Sequence, residues 1–165
     1  MAAPLTLLAT WTPDGGPIAW EDVIVGHDFG LLPPEVVLAW TRNHTPEGEA
    51  LEALLALQPG PEACLDAALW VACREATGSV PRPGTTRWAR GQDRWRVALL
   101  RQALATLSRE EDLGPAVEAV YEQLGCPEDM LGLWSPARGG RPCSGRRLQV
   151  EAFLARFTPR MALAG

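Results

Sequence analysis

The chain has 165 residues, of which 47% are hydrophobic and 21% charged, a composition typical of one globular domain and unlike that of a disordered chain. Its net charge of −5 and isoelectric point near 5.1 argue against nucleic-acid binding as the main role. No apolar run approaches the ~20 residues that span a bilayer, and no basic segment precedes the apolar N-terminal stretch, so we expect a cytoplasmic protein that does not bind membranes.

Proline and glycine predict where the helices begin and end. Proline is favoured in the first turn because its missing N–H would be unpaired there, and glycine adopts the left-handed conformation that closes a helix. Prolines precede four apolar-periodic segments, at Pro34, Pro46, Pro61 and Pro115. Glycines follow the ends of three apolar-periodic segments, at Gly30, Gly78 and Gly125. We therefore predict seven helices, over residues 19–29, 34–44, 46–57, 61–77, 91–108, 115–124 and 147–157.

Apolar residues recur at the spacing of one helix face. One such stripe, at i, i+3, i+4 and i+7, is formed by Val117, Val120, Tyr121 and Leu124, and an earlier one by Leu65, Ala68, Leu69 and Ala72. No alternating run of strand length is flanked by hairpin dipeptides. These patterns predict an all-α fold, a single-domain bundle or a short array of antiparallel helix pairs with about seven helices.

Two segments interrupt the helical pattern. Residues 78–92 are predicted to form a long polar loop, and residues 135–147 are rich in Gly, Pro and Arg, as in a linker. We accordingly predict an all-helical domain over residues 1–136 and, over residues 137–165, a linker and a terminal helix that docks on the same domain.

The segment from Ala19 to Pro34 combines acidic and imidazole side chains in a way that invites a catalytic interpretation. Glu21 and Asp22 lie in the first turn of the predicted helix, where carboxylates suit its positive end, and His27 lies near its negative end. At helical spacing the acidic side chains do not converge on the imidazole. We therefore interpret the segment as helix termini, with Val23, Ile24 and Phe29 facing inward.

The sequence lacks the usual templates for chemistry. It has no nucleophile elbow, phosphate loop, zinc-binding helix motif or dinucleotide fingerprint, and His44, just ahead of a helix, is expected to be exposed. The four cysteines, Cys64, Cys73, Cys126 and Cys143, form no CxxC pair and are expected to be free, buried thiols. The seven tryptophans are expected to pack in the core. We therefore predict no catalytic residue, no metal and no cofactor.

Charge is distributed unevenly along the chain. Residues 1–81 contain two arginines and eleven acidic residues, a net charge of −9, whereas residues 82–165 contain thirteen arginines and nine acidic residues, a net charge of +4. An exposed acidic surface attracts basic protein surfaces. The alternative is that the two halves neutralise each other within the fold. The acidic residues expected to be exposed and to contact a partner are Glu21, Asp22, Asp28, Glu35, Glu47, Glu49 and Glu52.

Two stretches resemble a bacterial family of domains of unknown function that is partly found as candidate immunity proteins beside polymorphic toxins. The first is WEDVIVGHDFGLLPPEVVLAW and the second DLGPAVEAVYEQLGCPEDMLGLWSP, and together they frame Trp11 to Pro136. Cys126 replaces the aromatic residue that the family pattern has before Pro127, and the chain from Ala137 onward lies outside the pattern. The resemblance implies a protein that neutralises a toxin. The family has no established catalytic residues, so the resemblance implies none in this chain.

Three hypotheses follow for function. The first is a non-enzymatic protein-binding module, an immunity protein that covers a basic toxin domain with its acidic N-terminal face. The second is a structural or adaptor protein that self-associates through a Trp-rich helical surface. The third is an enzyme with an unrecognised site. The first predicts a monomer until the partner binds, and the second a homodimer.

Overall fold

The structure, a computed structural model, describes residues 4–11, 16–57, 62–134 and 145–157. These residues form helices and their connections, with no strand among them, so the all-α prediction is confirmed. The helices are α1 (Pro4–Trp11), α2 (Trp20–Asp28), α3 (Pro34–His44), α4 (Glu49–Ala56), α5 (Glu62–Thr77), α6 (Thr86–Thr106), α7 (Glu110–Gln123), α8 (Leu131–Trp134) and α9 (Arg146–Ala155). A short 3-10 helix, Glu128–Met130, lies between α7 and α8.

The three helix ends predicted from glycine are confirmed. Gly30, Gly78 and Gly125 all have positive φ, of 65°, 79° and 74°. At the end of α2 the backbone N–H of Leu31 bonds to the carbonyl of Gly26, and that of Gly30 to the carbonyl of His27. This pair of bonds satisfies carbonyls that would otherwise be unpaired at the helix end.

The predicted helix starts are less accurate. Pro34 begins α3 as expected, but α4 begins at Glu49, with Gly48 as its N-cap, instead of at Pro46. Helix α7 begins at Glu110, so Pro115 lies inside it. Three carboxylates in its first turn favour this earlier start, because they suit the positive end of a helix.

Helix α6 also begins earlier than predicted, at Thr86 instead of residue 91. The Thr85 hydroxyl accepts a hydrogen bond from the backbone N–H of Trp88 at 3.3 Å, and the Thr85 carbonyl accepts one from Ala89. Threonine is a favoured N-terminal cap, so the signal was present in the sequence. The loop predicted over residues 78–92 is therefore shorter than expected. Helix α1, at the other end of the chain, was not among the predicted helices.

The chain groups into two compact units, which we name by their place in the sequence. The central unit, Ala19–Gly91, contains α2 to α5 and the first turns of α6; here α5 packs against α3 and α4. Its core includes Val23, Val37 and Leu69, which are fully buried, and the rings of Trp20 and Trp40 meet edge to face with centroids 5.1 Å apart.

The terminal unit, Met1–Ile18 with Gln92–Gly165, contains α1, the rest of α6 and α7 to α9. Helix α9 packs against α7 and α8. The guanidinium of Arg147 donates hydrogen bonds to the carbonyls of Leu104 and Leu107, close to the C-terminal end of α6. The predicted boundary between residues 136 and 137 stays a prediction, since residues 135–144 lie outside the described part of the chain.

Candidate functional site

Two of the seven acidic residues proposed as partner contacts are buried, so the prediction that they are exposed is wrong. Glu21 is 6% exposed and Asp22 is not exposed at all. Glu21 Oε2 accepts a hydrogen bond from Arg87 Nη2 at 3.2 Å, and Arg90 Nη1 lies 3.9 Å from Glu21 Oε1. Both arginines lie on α6 because this helix starts early. Both fall within the loop predicted over residues 78–92.

Asp22 has a structural role at the start of α2. Its Oδ2 atom accepts a hydrogen bond from the backbone N–H of Ala19 at 2.8 Å. A carboxylate in this position stabilises the helix by satisfying a free N–H and by its charge. The interpretation of this segment as a helix terminus therefore holds for Asp22, while its candidacy as a surface contact does not.

The other five acidic residues are exposed, and all belong to the central unit. The structure gives none of their carboxylates a cationic partner among the residues it describes. They are Asp28 at the end of α2, Glu35 in the first turn of α3, Glu47 before α4, and Glu49 and Glu52 on α4. Their charge is therefore available to a partner.

Most arginines of the central unit are bonded within it. Arg42 donates to the carbonyls of Leu54 and Leu57 at the end of α4, and Arg87 and Arg90 face Glu21. Arg74 and Arg82 are exposed. The central unit has ten acidic residues and five arginines, hence a net charge of −5, whereas the rest of the chain has ten of each. The whole net charge of the chain thus belongs to the central unit.

Three large apolar side chains of the central unit are exposed: Leu55 on α4 (60%), and Trp70 (51%) and Val71 (50%) on α5. The expectation that tryptophans lie in the core is confirmed for Trp20, Trp40, Trp88 and Trp95, which are 8% exposed or less. It is wrong for Trp70, while Trp11 and Trp134 are not among the described side chains.

The stripe predicted on α5 already contained the signal for the exposure of Trp70. Leu65, Leu69 and Ala72 are buried, and Trp70 and Val71 are rotated away from Leu69 by about 100° and 200°. A helix whose buried face is known therefore also has a known outward face. The prediction that Trp70 is buried rested on the general preference of tryptophan for the core and did not take its position on the helix into account.

His27 contacts a carboxylate that the sequence analysis missed. Its Nε2 atom lies 2.6 Å from Oδ1 of Asp66 on α5, with side chains 15% and 44% exposed. The predicted position of His27 in the last turn of α2 is confirmed. Nothing in the sequence indicates that His27 and Asp66, 39 positions apart, are in contact. His44 is exposed, as predicted, and stacks on Trp40 with ring centroids 4.0 Å apart.

A polar cluster surrounds the buried thiol of Cys73. Its Sγ atom lies 3.4 Å from the Ser79 carbonyl and 3.7 Å from Thr77 Oγ1, and Arg87 Nη1 donates to that hydroxyl at 3.1 Å and to the Ser79 carbonyl at 2.9 Å. Burial raises the pKa of the Cys73 thiol, and the Thr77 hydrogen bond and Arg87 only partly oppose this. The neutral thiol is therefore favoured, which opposes a nucleophilic role.

The other cysteines differ from the prediction of buried thiols. Cys64 and Cys126 are exposed, while Cys143 lies outside the described residues. On α5, Cys64 is exposed and Cys73 is buried, and a spacing of nine residues places them on opposite faces of the helix. Among the residues described, no three His, Cys, Asp or Glu side chains are grouped so that they could hold a metal ion.

The raised pKa of Cys73 predicts a loss of stability at alkaline pH. The unfolded chain loses the thiol proton near the ordinary pKa of 9.0, whereas the folded chain retains it to higher pH. Deprotonation therefore favours the unfolded state, and stability that is fully present below pH 9 is lost as the pH rises through the folded-state pKa. We expect the urea unfolding free energy of the wild type to fall more steeply as the pH rises above 9.0 than that of Cys73→Ala. Cys64→Ser, which removes an exposed thiol from the same helix, should keep the wild-type slope. Equal slopes for wild type and Cys73→Ala would contradict the assignment.

Fold and surface together define an all-α protein with an acidic, partly apolar surface on its central unit. No helix in the described ranges has both the length and the apolar character needed to cross a bilayer. Comparison of the chain with family models, with curated proteins and with solved structures finds no match. The resemblance to candidate immunity proteins therefore stays a prediction.

Proposed function

We propose that the chain is a non-enzymatic protein-binding module whose central unit binds a basic protein, as an immunity protein neutralising a bacterial toxin domain would. One observation carries the proposal: five exposed carboxylates have no cationic partner among the described residues, while Arg42, Arg87 and Arg90 of the same unit are engaged internally. Exposed charge of one sign raises the rate of encounter with a surface of the opposite sign.

The buried residues refine this proposal. Glu21 and Asp22 act inside the central unit, so the partner-binding set reduces to Asp28, Glu35, Glu47, Glu49 and Glu52. The alternative in which charges neutralise each other within the fold applies to Glu21, which pairs with two arginines. It does not extend to the other five, whose carboxylates face solvent.

A matched pair of variants tests the proposal. The first replaces the five exposed carboxylates of the central unit with their amides, and the second does the same for five exposed carboxylates of the terminal unit, Glu111, Asp112, Glu122, Glu128 and Glu151. Both variants lose the same charge. We expect tagged wild type and the second variant to retrieve the same basic protein from the native cell, and the first to retrieve at least about tenfold less.

The outcome also has a genetic control. If the partner is a toxin, its gene should lie beside the gene of this chain, and expression of the wild type, but not of the first variant, should relieve its toxicity. Retrieval that is equal for both variants, or a retrieved partner without a basic surface, would refute the acidic surface as the binding site.

A second candidate function is self-association as a structural or adaptor protein. The half-exposed Trp70 favours it, since a tryptophan on a helix surface can supply a dimer contact. Sedimentation over a range of concentrations distinguishes the two candidates. A stable homodimer lost in Trp70→Ala supports self-association, and a monomer at all concentrations supports the first proposal.

A further inference from the structure

The outward face of α5 presents an apolar stripe. Ala67, Trp70 and Val71 follow one another at i, i+3 and i+4 and are exposed, and the exposed, basic Arg74 lies at i+7, at the end of the stripe. Their neighbours Leu65, Leu69, Ala72 and Cys73 form the buried face of the same helix. The stripe is therefore a continuous surface, with Trp70 at its centre.

The register between α4 and α5 places acidic side chains level with this stripe. A Cβ atom built on Gly48, the cap of α4, would lie 3.8 Å from Oε2 of Glu75, in the last turns of α5. The two helices pack together and are joined by only five residues, so they run antiparallel. The start of α4 therefore lies beside the last turns of α5, and Glu52, one turn further along α4, lies beside the middle of α5.

The charge of the central unit indicates which kind of partner can bind to the apolar stripe. Two copies docked through this face would bring together two units of net charge −5, and like charges oppose such a contact. Along α5 itself, the exposed Glu75 lies one turn after Val71, whereas Asp66, one turn before Trp70, contacts His27, and Arg74 carries a positive charge. The exposed carboxylates of Glu52 and Glu75, together with the net charge of −5 of the unit, outweigh the single charge of Arg74, so the stripe is complementary to an apolar side chain bordered by lysine or arginine.

We propose that Trp70 and Val71, with Leu55, form the anchor of the interface and receive the apolar face of a basic amphipathic helix. This inference rests on the proposed function and adds to it the chemistry of the partner segment. Interfaces draw most of their affinity from a few apolar or aromatic side chains, with tryptophan prominent among them, while the surrounding charges govern approach and orientation. Helical partners dock through apolar residues at i, i+3, i+4 and i+7.

A synthetic peptide tests the anchor directly. The probe is a fluorescein-labelled helix of about 18 residues (five turns) of leucine and lysine with leucine on one face. A peptide of the same composition in scrambled order, and a leucine–glutamate helix, serve as controls. Anisotropy should show that the wild type binds the amphipathic basic helix at least about tenfold more tightly than either control.

Variants then locate the contact. Trp70→Ala and Leu55→Ala should each weaken binding of the basic helix, by at least about tenfold for Trp70→Ala. Leu148→Ala removes an equally apolar side chain that is 69% exposed on α9, and Glu151→Gln removes an exposed charge there, and neither should alter binding. Urea unfolding of each variant confirms that its fold is intact.

Failure of the inference is distinguishable from failure of the proposed function. If the five-amide variant of the central unit loses binding but Trp70→Ala and Leu55→Ala keep it, the acidic surface stands and the anchor is wrong. If the wild type binds no basic helix but retrieves a basic protein from the native cell in a way that depends on the five carboxylates, the inference fails and the proposed function stands. If retrieval is also equal for the two five-amide variants, both proposals fail. Self-association of the wild type that Trp70→Ala abolishes overturns the inference as well, because the occupant is then a second copy.

Discussion

Replacing Gly91 with alanine is expected to lower the free energy of unfolding by about 3 kcal/mol, although the same change in an open helix would raise it by about 1 kcal/mol. A Cβ atom on Gly91 would lie 2.6 Å from the backbone carbonyl oxygen of Glu21 and 2.9 Å from Cγ2 of Val25. The first contact is with backbone, so no rotamer change relieves it, and α2 has to shift relative to the start of α6.

Two other helical glycines provide controls for this substitution. A Cβ on Gly132 meets nothing within 4 Å, so Gly132→Ala should change stability by less than about 1 kcal/mol, in the stabilising direction. A Cβ on Gly114 would meet the end of the Arg146 side chain at 2.5 Å, which can move, so Gly114→Ala should be intermediate. Urea unfolding of all three variants measures the order. A Gly91→Ala protein as stable as Gly132→Ala would contradict the packing of α2 on α6.

The second large effect is expected at Arg96, a nearly buried arginine in the terminal unit. Its Nη1 atom donates to Asp129 Oδ1 at 2.6 Å, its Nη2 atom donates to Asp93, and its guanidinium carbon lies 4.8 Å from the ring centroid of Phe157 and 5.4 Å from that of Phe153. This side chain therefore joins α6 to the 3-10 helix and to the end of α9.

Arg96→Ala is expected to lower the free energy of unfolding by about 2 to 4 kcal/mol. Breaking a buried pair costs about 3 to 5 kcal/mol, but the two carboxylates are 26% and 40% exposed and regain water, which lowers the cost; each cation–π contact adds about 0.5 to 2 kcal/mol. Arg96→Lys should recover part of the loss, because lysine keeps the charge without the planar two-pronged geometry.

Arg156 is the matched control for Arg96. Its guanidinium carbon also lies 5.4 Å from the Phe153 ring, but the residue is exposed. Arg156→Ala should cost less than about 1 kcal/mol. Equal losses for Arg96→Ala and Arg156→Ala in urea unfolding would show that the ion pairs of Arg96 contribute nothing.

The parts of the fold that depend on local chemistry could be predicted from the sequence. Gly30 and Gly125 close their helices because only a residue that tolerates positive φ makes the two closing hydrogen bonds without strain. The start of α6 was also available, since Thr85 is a good cap. It was overlooked because the neighbouring prolines and glycines resemble a loop.

The parts that depend on tertiary contacts could not be predicted. Nothing near Glu21 in the sequence indicates that Arg87, 66 residues away, lies beside it, and nothing near His27 indicates Asp66, which is 39 residues away. The burial of Glu21 follows from the packing of α2 against a stretch that was assigned to a loop. A partner-binding surface predicted from the charges of the sequence alone therefore included two residues that are buried in the fold, Glu21 and Asp22.

Zero-length cross-linking tests the central claim, that the acidic surface of the central unit meets a basic partner, most directly. A carbodiimide joins a carboxylate to a lysine amine in contact with it, and this chain has no lysine, so cross-links to lysine in a complex come only from the partner. For the complex retrieved from the native cell, we expect cross-links from partner lysines to carboxylates of the exposed set, such as Glu47, Glu49 and Glu52. Cross-links confined to carboxylates of the terminal unit would contradict the account.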